Sequence, residues 1–350
     1  MPRVVIVGAG ICGLVAAGAL RAAGWQPLIL EQQERVGGRL RTERRGDAAC
    51  DSGAQFFSVR APAFATLVAA WRAAGLAEHW CNGFATAAVH DPRAAPVAVE
   101  DGFPRYRIAG GMERLAQHLA RGLEVQCQRV ATRLDTGARA LALRVRSPAG
   151  ETTLSADAAI LTPPVPLALA LIAAGCHKRA LAPALQARLA TVRYAPCLCL
   201  TLDFPKATSL AIPAPGAVRL SAGPLSWLAS QRAKGLRASG DGVVVHAEAE
   251  WSAAHAHQTD EQLIAALTAL AAPLLTGWSG GDWSSPAAAT LTRWQHSLAT
   301  ATIDEPFLDA GLAAPVLLAG DAFGGRPRVE GAVLSGLAAA AALIGAPRSD

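Results

Sequence analysis

Residues 4–42 read VVIVGAGICGLVAAGALRAAGWQPLILEQQERVGGRLRT, and this stretch decides the fold. A β-branched run precedes Gly8, Gly10 and Gly13, and a small-residue helix and a second strand ending in Glu31 follow. The first glycine permits a tight turn, the second lets backbone approach a pyrophosphate, and the third lets the helix pack closely on the strand. Glu31 stands 18 residues after Gly13, near the spacing of about 20 at which an acid binds a ribose. We predict a dinucleotide-binding βαβ unit.

The same residues share some features with a secretory signal, because one early cation, Arg3, precedes an apolar run. A signal peptide requires none of the glycines and does not predict an acid at the end of the second strand. In a dinucleotide site, the helix dipole and the backbone amides near Ile11 and Cys12 would face the phosphates. The sequence favours the dinucleotide site.

Composition indicates a folded chain of two domains. The chain has 350 residues, 52% hydrophobic and 17% charged, which excludes a disordered protein. The net charge of +5 includes an arginine cluster at 35–45, but no aromatic residues interleave with it, so we expect no nucleic-acid partner. Seven cysteines without paired spacing favour a reducing, cytoplasmic location.

Two other segments have ordinary structural interpretations. AAILTPPVPLALALIAAG, at 158–175, is the most apolar stretch, but its prolines predict a strand, a turn and a helix, so we expect no membrane partner. His255 and His257 stand near Asp260, yet Thr259 and Gln262 form a capping box for a following helix. We therefore predict no metal site.

RVGGRLRT, which follows Glu31, resembles the flavoprotein family of amine oxidases, phytoene desaturases and protoporphyrinogen oxidases. The resemblance implies that Gly38 and Arg39 contact the pyrophosphate of a non-covalently bound FAD. Two glycines let backbone pass close to a cofactor, and a guanidinium can grip phosphate at two points. The segment DSGAQFF, residues 51–57, fits the same family and places Gly53 and Ala54 near the isoalloxazine ring.

The C-terminal stretch VLLAGDAFGGRPRVEGAVLSGLAAAAA, residues 316–342, also resembles this family. The resemblance implies that Asp321 lies near the ribityl or phosphate groups and that a helix beginning near Glu330 points at the flavin. A helix N-terminus would stabilise the negative charge of a reduced flavin.

The predicted fold is α/β with two domains: a Rossmann-type FAD-binding domain of the amine oxidase kind and a smaller mixed-sheet substrate domain. The FAD-binding domain is expected at 1–61, 107–164 and 289–350, and the substrate domain at 62–106 and 165–288. The predicted cofactor-binding residues are Gly8, Gly10, Ile11, Cys12, Gly13, Glu31, Gln32, Gly38, Arg39, Gly53, Ala54, Gln55, Phe56, Val130, Thr162, Gly320, Asp321, Val329, Glu330, Gly331 and Ala332.

Within this group the chain resembles the bacterial branch of the renalase family, on GAQFFSVRAPAF, VRYAPCLCLTLDF, LSWLASQRAKG, HAEAEWSAAH, RWQH and GRPRVEGAVLSG. The resemblance implies an oxidase that transfers hydride from isomeric dihydro forms of NAD(P) to flavin N5. Molecular oxygen would then accept the electrons and give hydrogen peroxide. Hydride transfer of this kind needs a held ring and no strong base.

The predicted substrate-pocket residues combine aromatic and polar side chains: Gln55, Phe57, Trp227, His246, Arg293, Trp294 and His296. Phe56 and Phe57 alternate along a strand, so only one of them can face the flavin. Gln231 replaces an asparagine common in relatives. Arg326 and Arg328 either bind a phosphate-bearing substrate or cover a loop.

Two other functions stay open. A flavin amine oxidase or related desaturase is one; monoamine oxidases use a lysine near N5, whereas Lys206 and Lys234 are expected in loops here. No cysteine follows Cys199, so the C-terminal cysteinyl–flavin bond of monoamine oxidases cannot form. A non-catalytic flavin-binding scaffold is the other function. The sequence does not assign an oligomeric state.

Overall fold

The computed structural model describes residues 1–46, 48–137, 140–177, 179–204 and 210–346. Lys206 therefore lies outside the described residues. The helices are α1 (Ile11–Ala22), α2 (Pro62–Ala73), α3 (Glu113–Leu119), α4 (Val165–Ala173), α5 (Pro183–Leu189), α6 (Ala249–His255), α7 (Asp260–Ser279) and α8 (Val329–Gly345), with a short 3-10 helix at Gly38–Leu40. The strands are β1 (Arg3–Val7), β2 (Gln26–Leu30), β3 (Thr42–Arg45), β4 (Ala48–Asp51), β5 (Phe57–Ser58), β6 (Ala77–Cys81), β7 (Ala85–Ala88), β8 (Arg105–Ile108), β9 (Glu124–Gln126), β10 (Val130–Thr136), β11 (Leu141–Ser147), β12 (Gly150–Ala156), β13 (Ala158–Leu161), β14 (Arg193–Phe204), β15 (Ala217–Ser221), β16 (Leu225–Ser230), β17 (Asp241–Ala247), β18 (Ala288–Ala301), β19 (Leu308–Asp309) and β20 (Val316–Leu318).

The first compact unit comprises Met1–Arg39, Leu115–Tyr194 and Leu298–Asp350. Its main sheet has the order β19-β20-β13-β1-β2-β9, parallel except at the β19–β20 edge. The central strands are buried because apolar β-branched and leucine residues fill them, as parallel sheets require. A second sheet, β10-β11-β12, is an antiparallel meander. This arrangement confirms the predicted Rossmann-type fold.

Helices α1 and α8 pack on each other through glycine in the first unit. A Cβ at Gly336 would collide with the backbone oxygen of Cys12, so only glycine permits this approach of the two helices. The N-terminal and C-terminal segments of the chain thus form one layer.

The second compact unit comprises Leu40–Arg114 and Ala195–Ser297. Its largest sheet has the order β18-β14-β17-β16-β15-β7 and is mixed, because β7 and β15 pair in parallel whereas β14, β17, β16 and β15 pair antiparallel. Two small sheets, β3-β4 and β5-β8-β6, complete the unit. A mixed sheet was predicted for the substrate domain.

The compact units differ from the predicted domain boundaries. Residues 40–61, 107–114 and 289–297 belong to the second unit, whereas 165–194 belong to the first. The reason is packing: α4 and α5 bury Val165, Ile172 and Leu189 in the core of the first unit. Strands β3, β4 and β5 instead pair within the second unit.

Helix α7 carries the predicted capping box: Gln262 N donates to Thr259 Oγ1, and Thr259 N donates to Gln262 Oε1. The capping prediction is confirmed. Among the described residues α7 is the one helix long and apolar enough to span a membrane. Leu263, Leu267 and Leu275 of α7 are fully buried in the core of the second unit, as expected of a core helix.

Candidate functional site

The first glycine turn of the first unit leaves space where a ligand would lie. Gly8 adopts φ +103, and a Cβ there would lie 2.5 Å from Thr162 Oγ1. A Cβ at Gly13 would collide with the carbonyl oxygen of Gly8, whereas Gly10 has no atom within 4 Å of its Cβ position. Gly10 also caps α1 without a side-chain hydrogen bond. The turn is closed on its protein side and open at the helix N-terminus, as a pyrophosphate site requires.

Glu31 lies at the end of β2 and is 5% exposed. Its carboxylate accepts hydrogen bonds from Ala9 N at 2.8 Å and Gln33 N at 2.9 Å. Burial raises the pKa of Glu31, and these backbone donors act in the opposite direction. Gln32 N is a third backbone donor to this carboxylate. Of the roughly four acceptor positions of a carboxylate, about one therefore remains for a ribose hydroxyl.

The predicted adenine-side residues lie beside Glu31. Arg129 N donates to Glu31 O and Gln128 N donates to Gln33 O, which brings the chain before Val130 alongside the acid. Gln32 is exposed next to Glu31. Val130 and Gln32 therefore lie close to the position where a ribose would bind.

The second glycine pair lies directly against the first turn. Gly37 N donates to Ala9 O at 2.9 Å, and the position of a Cβ at Gly38 is 3.7 Å from the Gly10 Cα. Gly37 and Gly38 have φ of +120 and +52, which glycine adopts without strain. We call Gly8, Gly10, Gly13, Gly37 and Gly38 the glycine cradle.

Arg39 and Asp321 connect the cradle to the C-terminal segment. Arg39 Nη1 and Nη2 donate to the two carboxylate oxygens of Asp321 at 2.7 and 2.6 Å. The side chain of Asp321 is 9% exposed and that of Arg39 is 32% exposed. The Arg39 side chain therefore keeps part of its surface exposed beside the cradle.

The predicted C-terminal site residues lie in the segments next to Asp321. Gly320 N donates to Ser335 Oγ at 2.9 Å, and Thr162 Oγ1 donates to Val7 O at 2.8 Å. Helix α8 begins at Val329, and Glu330, Gly331 and Ala332 form its buried first turn. A Cβ at Gly331 would collide with the backbone oxygen of Arg326, whereas the Arg326 and Arg328 side chains are exposed.

The residues of the first unit fit a dinucleotide such as FAD. The cradle is open at an uncapped helix N-terminus, Arg39 is partly exposed beside it, and the Glu31 carboxylate lies at the end of β2. These groups would hold a pyrophosphate and a ribose by backbone amides, a guanidinium and a carboxylate.

In the second unit the predicted flavin-side segment 51–55 is fixed by a buried ion pair. Lys234 Nζ lies 2.6 Å from Asp51 Oδ2, and both side chains are 0% exposed. Thr42 Oγ1 and Met112 N donate to Asp51 Oδ1 at 2.5 and 2.9 Å. Asp51 N donates to Gln231 Oε1 at 3.1 Å. These five residues are called the Asp51 network below.

Two predicted pocket residues hold the same segment. Gln55 Nε2 donates to Asp51 O and, at 3.1 Å, to Gly53 O. Trp294 Nε1 donates to Ser52 O at 2.8 Å. The backbone of 51–55 is thus fixed by side chains that are distant in sequence.

Phe56, Trp80, Phe84 and Trp227 form an aromatic cluster with ring centroids 4.7–6.5 Å apart. Cations face these rings. Arg105 lies 5.9 Å from the Phe56 centroid and 5.1 Å from that of Phe84, Arg219 lies 5.6 Å from Phe84, and Lys234 lies 5.3 Å from Trp80. Lys234 is paired with Asp51 and Arg105 with Asp101, so the ring faces are occupied by protein cations whose charges are partly balanced by carboxylates.

Three predicted pocket residues keep a buried polar atom without a hydrogen-bond partner among the residues that the structure describes. The atoms are Gln55 Oε1, Trp227 Nε1 and His246 Nε2. Trp227 and His246 are Cα partners on β16 and β17. An unpaired buried polar group costs about 1–3 kcal/mol, so we expect a ligand group or water to complete each of these three atoms.

His246 is a neutral imidazole at physiological pH. Burial lowers its pKa to about 4, and the ammonium of Lys234 acts in the same direction. His246 therefore acts as a hydrogen-bonding group without charge.

The remaining predicted pocket residues lie in different surroundings. Phe57 is 3% exposed and packs on Phe64, Trp71 and Tyr106. The structure therefore places it in the core, whereas Phe56 lies in the aromatic cluster beside Trp227. Arg293 donates to Asp260, Ala256 O and Gln258 O, which fixes the junction of α6 and α7.

The position of His296 follows from β18. His296 and Trp294 are both half-buried, whereas Arg293 and Gln295 between and beside them are exposed. Because side chains alternate along a strand, His296 shares the face of Trp294.

Lys234 and Asp51 were not among the predicted site residues. One sequence signal could have found Lys234: the chain has three lysines against 29 arginines. A rare lysine among so many arginines draws attention to its position, because a compact ammonium and a planar guanidinium make different contacts.

Comparison with known proteins agrees with this geometry. A family model described as flavin-containing amine oxidoreductase matches residues 96–344, and a model of an NAD(P)-binding Rossmann-like domain matches residues 6–74. The L-amino-acid oxidase of Crotalus adamanteus is 62% identical over 45 residues, which are 13% of this chain and 9% of that protein. The chain thus aligns with about a tenth of the length of this curated relative.

Solved structures share the fold over the whole chain. Wild-type putrescine oxidase bound to putrescine superposes with a TM-score of 0.71 at 15% identity, covering 98% of this chain and 99% of that one. A putative protoporphyrinogen oxidase from Exiguobacterium sp. 255-15 gives 0.72 at 14% identity, covering 98% and 99%. Cyclohexylamine oxidase from Brevibacterium oxydans IH-35A gives 0.70 at 15% identity, covering 98% of each chain.

The family model covers most of the chain, and the cradle fits the cofactor of that family. The chain belongs to the flavin-containing amine oxidoreductase family and is an FAD-dependent oxidoreductase.

Proposed function

We propose that this protein oxidises an isomeric dihydropyridine form of NAD(P), as its resemblance to the bacterial renalases implies. FAD, when bound, supplies the hydride acceptor at N5, and molecular oxygen then takes the two electrons and gives hydrogen peroxide. The substrate loses a hydride from a ring carbon and becomes an aromatic pyridinium. The protein must hold the ring and needs no strong base.

The observation that carries this proposal is that protein cations already occupy the rings of the aromatic cluster. Arg105, Arg219 and Lys234 already face its rings. Rings already in contact with protein cations are poor partners for a substrate ammonium. A neutral dihydropyridine ring needs no cation–π contact and can pack against aromatic side chains. The polar groups beside the cluster, Gln55 and His246, are uncharged.

Lys234 gives a second argument. The ammonium of Lys234 is held by Asp51 with no exposed surface. A lysine that binds a water beside the flavin, as in monoamine oxidases, needs an accessible ammonium. Lys234 therefore fits a structural position better than that role.

Amine oxidation is the second candidate, because two of the superposed structures are named as putrescine oxidase and cyclohexylamine oxidase. A substrate amine would have to enter as the neutral base to avoid the cations of the cluster. That requirement would shift its optimum to high pH.

Anaerobic stopped-flow reduction distinguishes the two functions. The flavin-loaded protein is mixed with 2- and 6-dihydro-NAD(P) in one series and with putrescine and cyclohexylamine in another, and the flavin absorbance is followed. Rapid bleaching by the dihydropyridines with formation of NAD(P) supports the proposal. Bleaching by amines alone replaces the proposal with amine oxidation, and bleaching by neither contradicts both.

A further inference from the structure

Three buried polar atoms of the second unit indicate which hydrogen-bonding groups a bound ligand would have to offer. They are Gln55 Oε1, Trp227 Nε1 and His246 Nε2, none with a hydrogen-bond partner in the part of the chain that the structure describes. Gln55 and Trp227 are 5% and 6% exposed. Buried polar groups are normally paired, so such atoms require a ligand group or ordered water.

The roles of two of these atoms are fixed. The amide nitrogen of Gln55 donates to Asp51 O and Gly53 O, so the amide cannot be flipped and Oε1 is an acceptor. Trp227 Nε1 can only donate. A ligand that completes both must therefore offer one donor and one acceptor.

These residues are neighbours in the second unit. Trp227 and His246 are Cα partners on adjacent strands, and the Trp227 ring lies 5.9 Å from that of Phe56, the residue after Gln55. Lys234 lies between them, since Gln55 donates to the backbone oxygen of Asp51, Asp51 pairs with Lys234, and Lys234 acts electrostatically on His246.

We propose that Gln55, Trp227 and His246 bind a primary carboxamide of the substrate. The carboxamide N–H donates to Gln55 Oε1, and its carbonyl oxygen accepts from Trp227 Nε1. His246 Nε2 donates to the same oxygen or accepts from the second N–H, according to its tautomer. This inference rests on the proposed function, because the proposed substrate supplies the dihydropyridine ring that carries the carboxamide.

The same atoms exclude other groups. A carboxylate has no donor for Gln55 Oε1, and an ammonium has no acceptor for Trp227 Nε1. A site that provides both partners rejects an analogue that lacks one, because a buried group is then left unpaired.

The first measurement is binding of two oxidised dinucleotides by calorimetry. NAD carries the carboxamide, and 3-acetylpyridine adenine dinucleotide carries a ketone that accepts but cannot donate. We expect the wild-type protein to bind NAD about 10-fold more tightly, the ratio for one lost buried hydrogen bond. Gln55→Met should abolish this preference. Equal affinity of the wild-type protein for both ligands would overturn the inference.

Trp227→Phe provides a second variant that keeps the ring and removes only the N–H. It should weaken both ligands by a similar factor of about 10 and leave their ratio unchanged. Trp251→Phe, in α6, is the matched control with unchanged affinities. If Trp227→Phe binds NAD as tightly as the wild type, water completes these atoms and the inference fails.

The two proposals fail separately. Flavin bleaching by dihydro-NAD(P) with no discrimination between the carboxamide and the acetyl ligand would leave the proposed function intact and remove the carboxamide site. Discrimination in binding without bleaching would keep the carboxamide site and remove the proposed function.

Discussion

Lys234 and Asp51 form an ion pair 183 residues apart in sequence, with Nζ 2.6 Å from Oδ2 and no exposed surface on either side chain. Burial lowers the pKa of Lys234, and Asp51 opposes this shift. Each charge is tolerated in the interior because the other is present. The pair fixes the segment that begins with Asp51 and contains Gly53 and Gln55.

Breaking this pair on one side should be costly. Lys234→Met leaves an uncompensated carboxylate, so we expect the free energy of unfolding to fall by about 3–5 kcal/mol. Lys234→Met combined with Asp51→Leu should recover part of the loss, since no charge stays buried. Urea denaturation monitored by tryptophan fluorescence measures both variants.

The exposed pair of Arg188 and Glu305 is the control for this experiment. Arg188→Ala should leave the urea midpoint unchanged, because solvent screens exposed pairs. A Lys234→Met variant as stable as Arg188→Ala would show that the Asp51 network does not support the fold.

Two glycines of α1 provide a matched test of the cradle. A Cβ at Gly13 would collide with the Gly8 carbonyl, whereas Gly18 has nothing within 4 Å of its Cβ position. Gly13→Ala should lose FAD, and Gly18→Ala should keep it and gain up to about 1 kcal/mol from helix propensity. The flavin absorbance per protein after dialysis gives the result. Full occupancy of the Gly13→Ala protein would contradict the close packing of the cradle.

Glu31→Ala should weaken FAD retention. The change removes the acceptor of Ala9 N and Gln33 N as well as the acceptor position for a ribose. We expect the dissociation constant of FAD to rise at least about 10-fold, the ratio for one lost hydrogen bond to a charged group. Titration of the apoprotein with FAD measures this constant.

Glu31→Gln separates the two roles of this acid, because it keeps an acceptor for the backbone and loses the charge. Glu34→Ala, at an exposed position three residues on, should bind FAD normally. Unchanged FAD affinity in Glu31→Ala would refute the ribose assignment.

The lowered pKa of His246 predicts how the free energy of unfolding depends on pH. Its folded pKa of about 4 lies below the usual value of 6.5, so the unfolded chain binds a proton that the folded protein does not. Stability from this residue is complete above about pH 6.5 and is lost as the pH falls toward 4. His246→Gln should show a smaller loss of stability between pH 7 and 4 than the wild type.

The Lys234→Met variant tests whether the ammonium of Lys234 influences the pKa of His246. Removing the ammonium should raise the pKa of His246, because Lys234 contributes to its depression. NMR titration of the histidine ring reports this shift. A pKa of His246 unchanged in Lys234→Met would show that burial alone sets its value.

The sequence predicts the first unit well because its signals are local. Gly8, Gly10, Gly13 and Glu31 lie within one βαβ unit, where turn geometry and strand length determine the spacing. The structure brings Arg39 and Asp321 together as the resemblance to the flavoprotein family implies for a shared cofactor, although only the fold makes their direct ion pair visible.

The second unit is less predictable because its contacts are distant in sequence. Period-2 alternation shows that Phe56 and Phe57 point to opposite sides, but it does not say which side holds Trp227 and which holds Phe64. Lys234 lies in the predicted turn, yet its burial depends on Asp51, which no local pattern indicates. The cytoplasmic location and the oxygen acceptor stay predictions.

The packing of α1 on α8 through Gly336 has a consequence for synthesis of the chain. Strand β20 and helix α8 are translated long after α1, yet β20 pairs with β13 and α8 covers α1. The glycine cradle, which lies within residues 8–38, must therefore wait for residues 316–345 before Asp321 reaches Arg39. We expect a chain that terminates before α8 to lose the flavin.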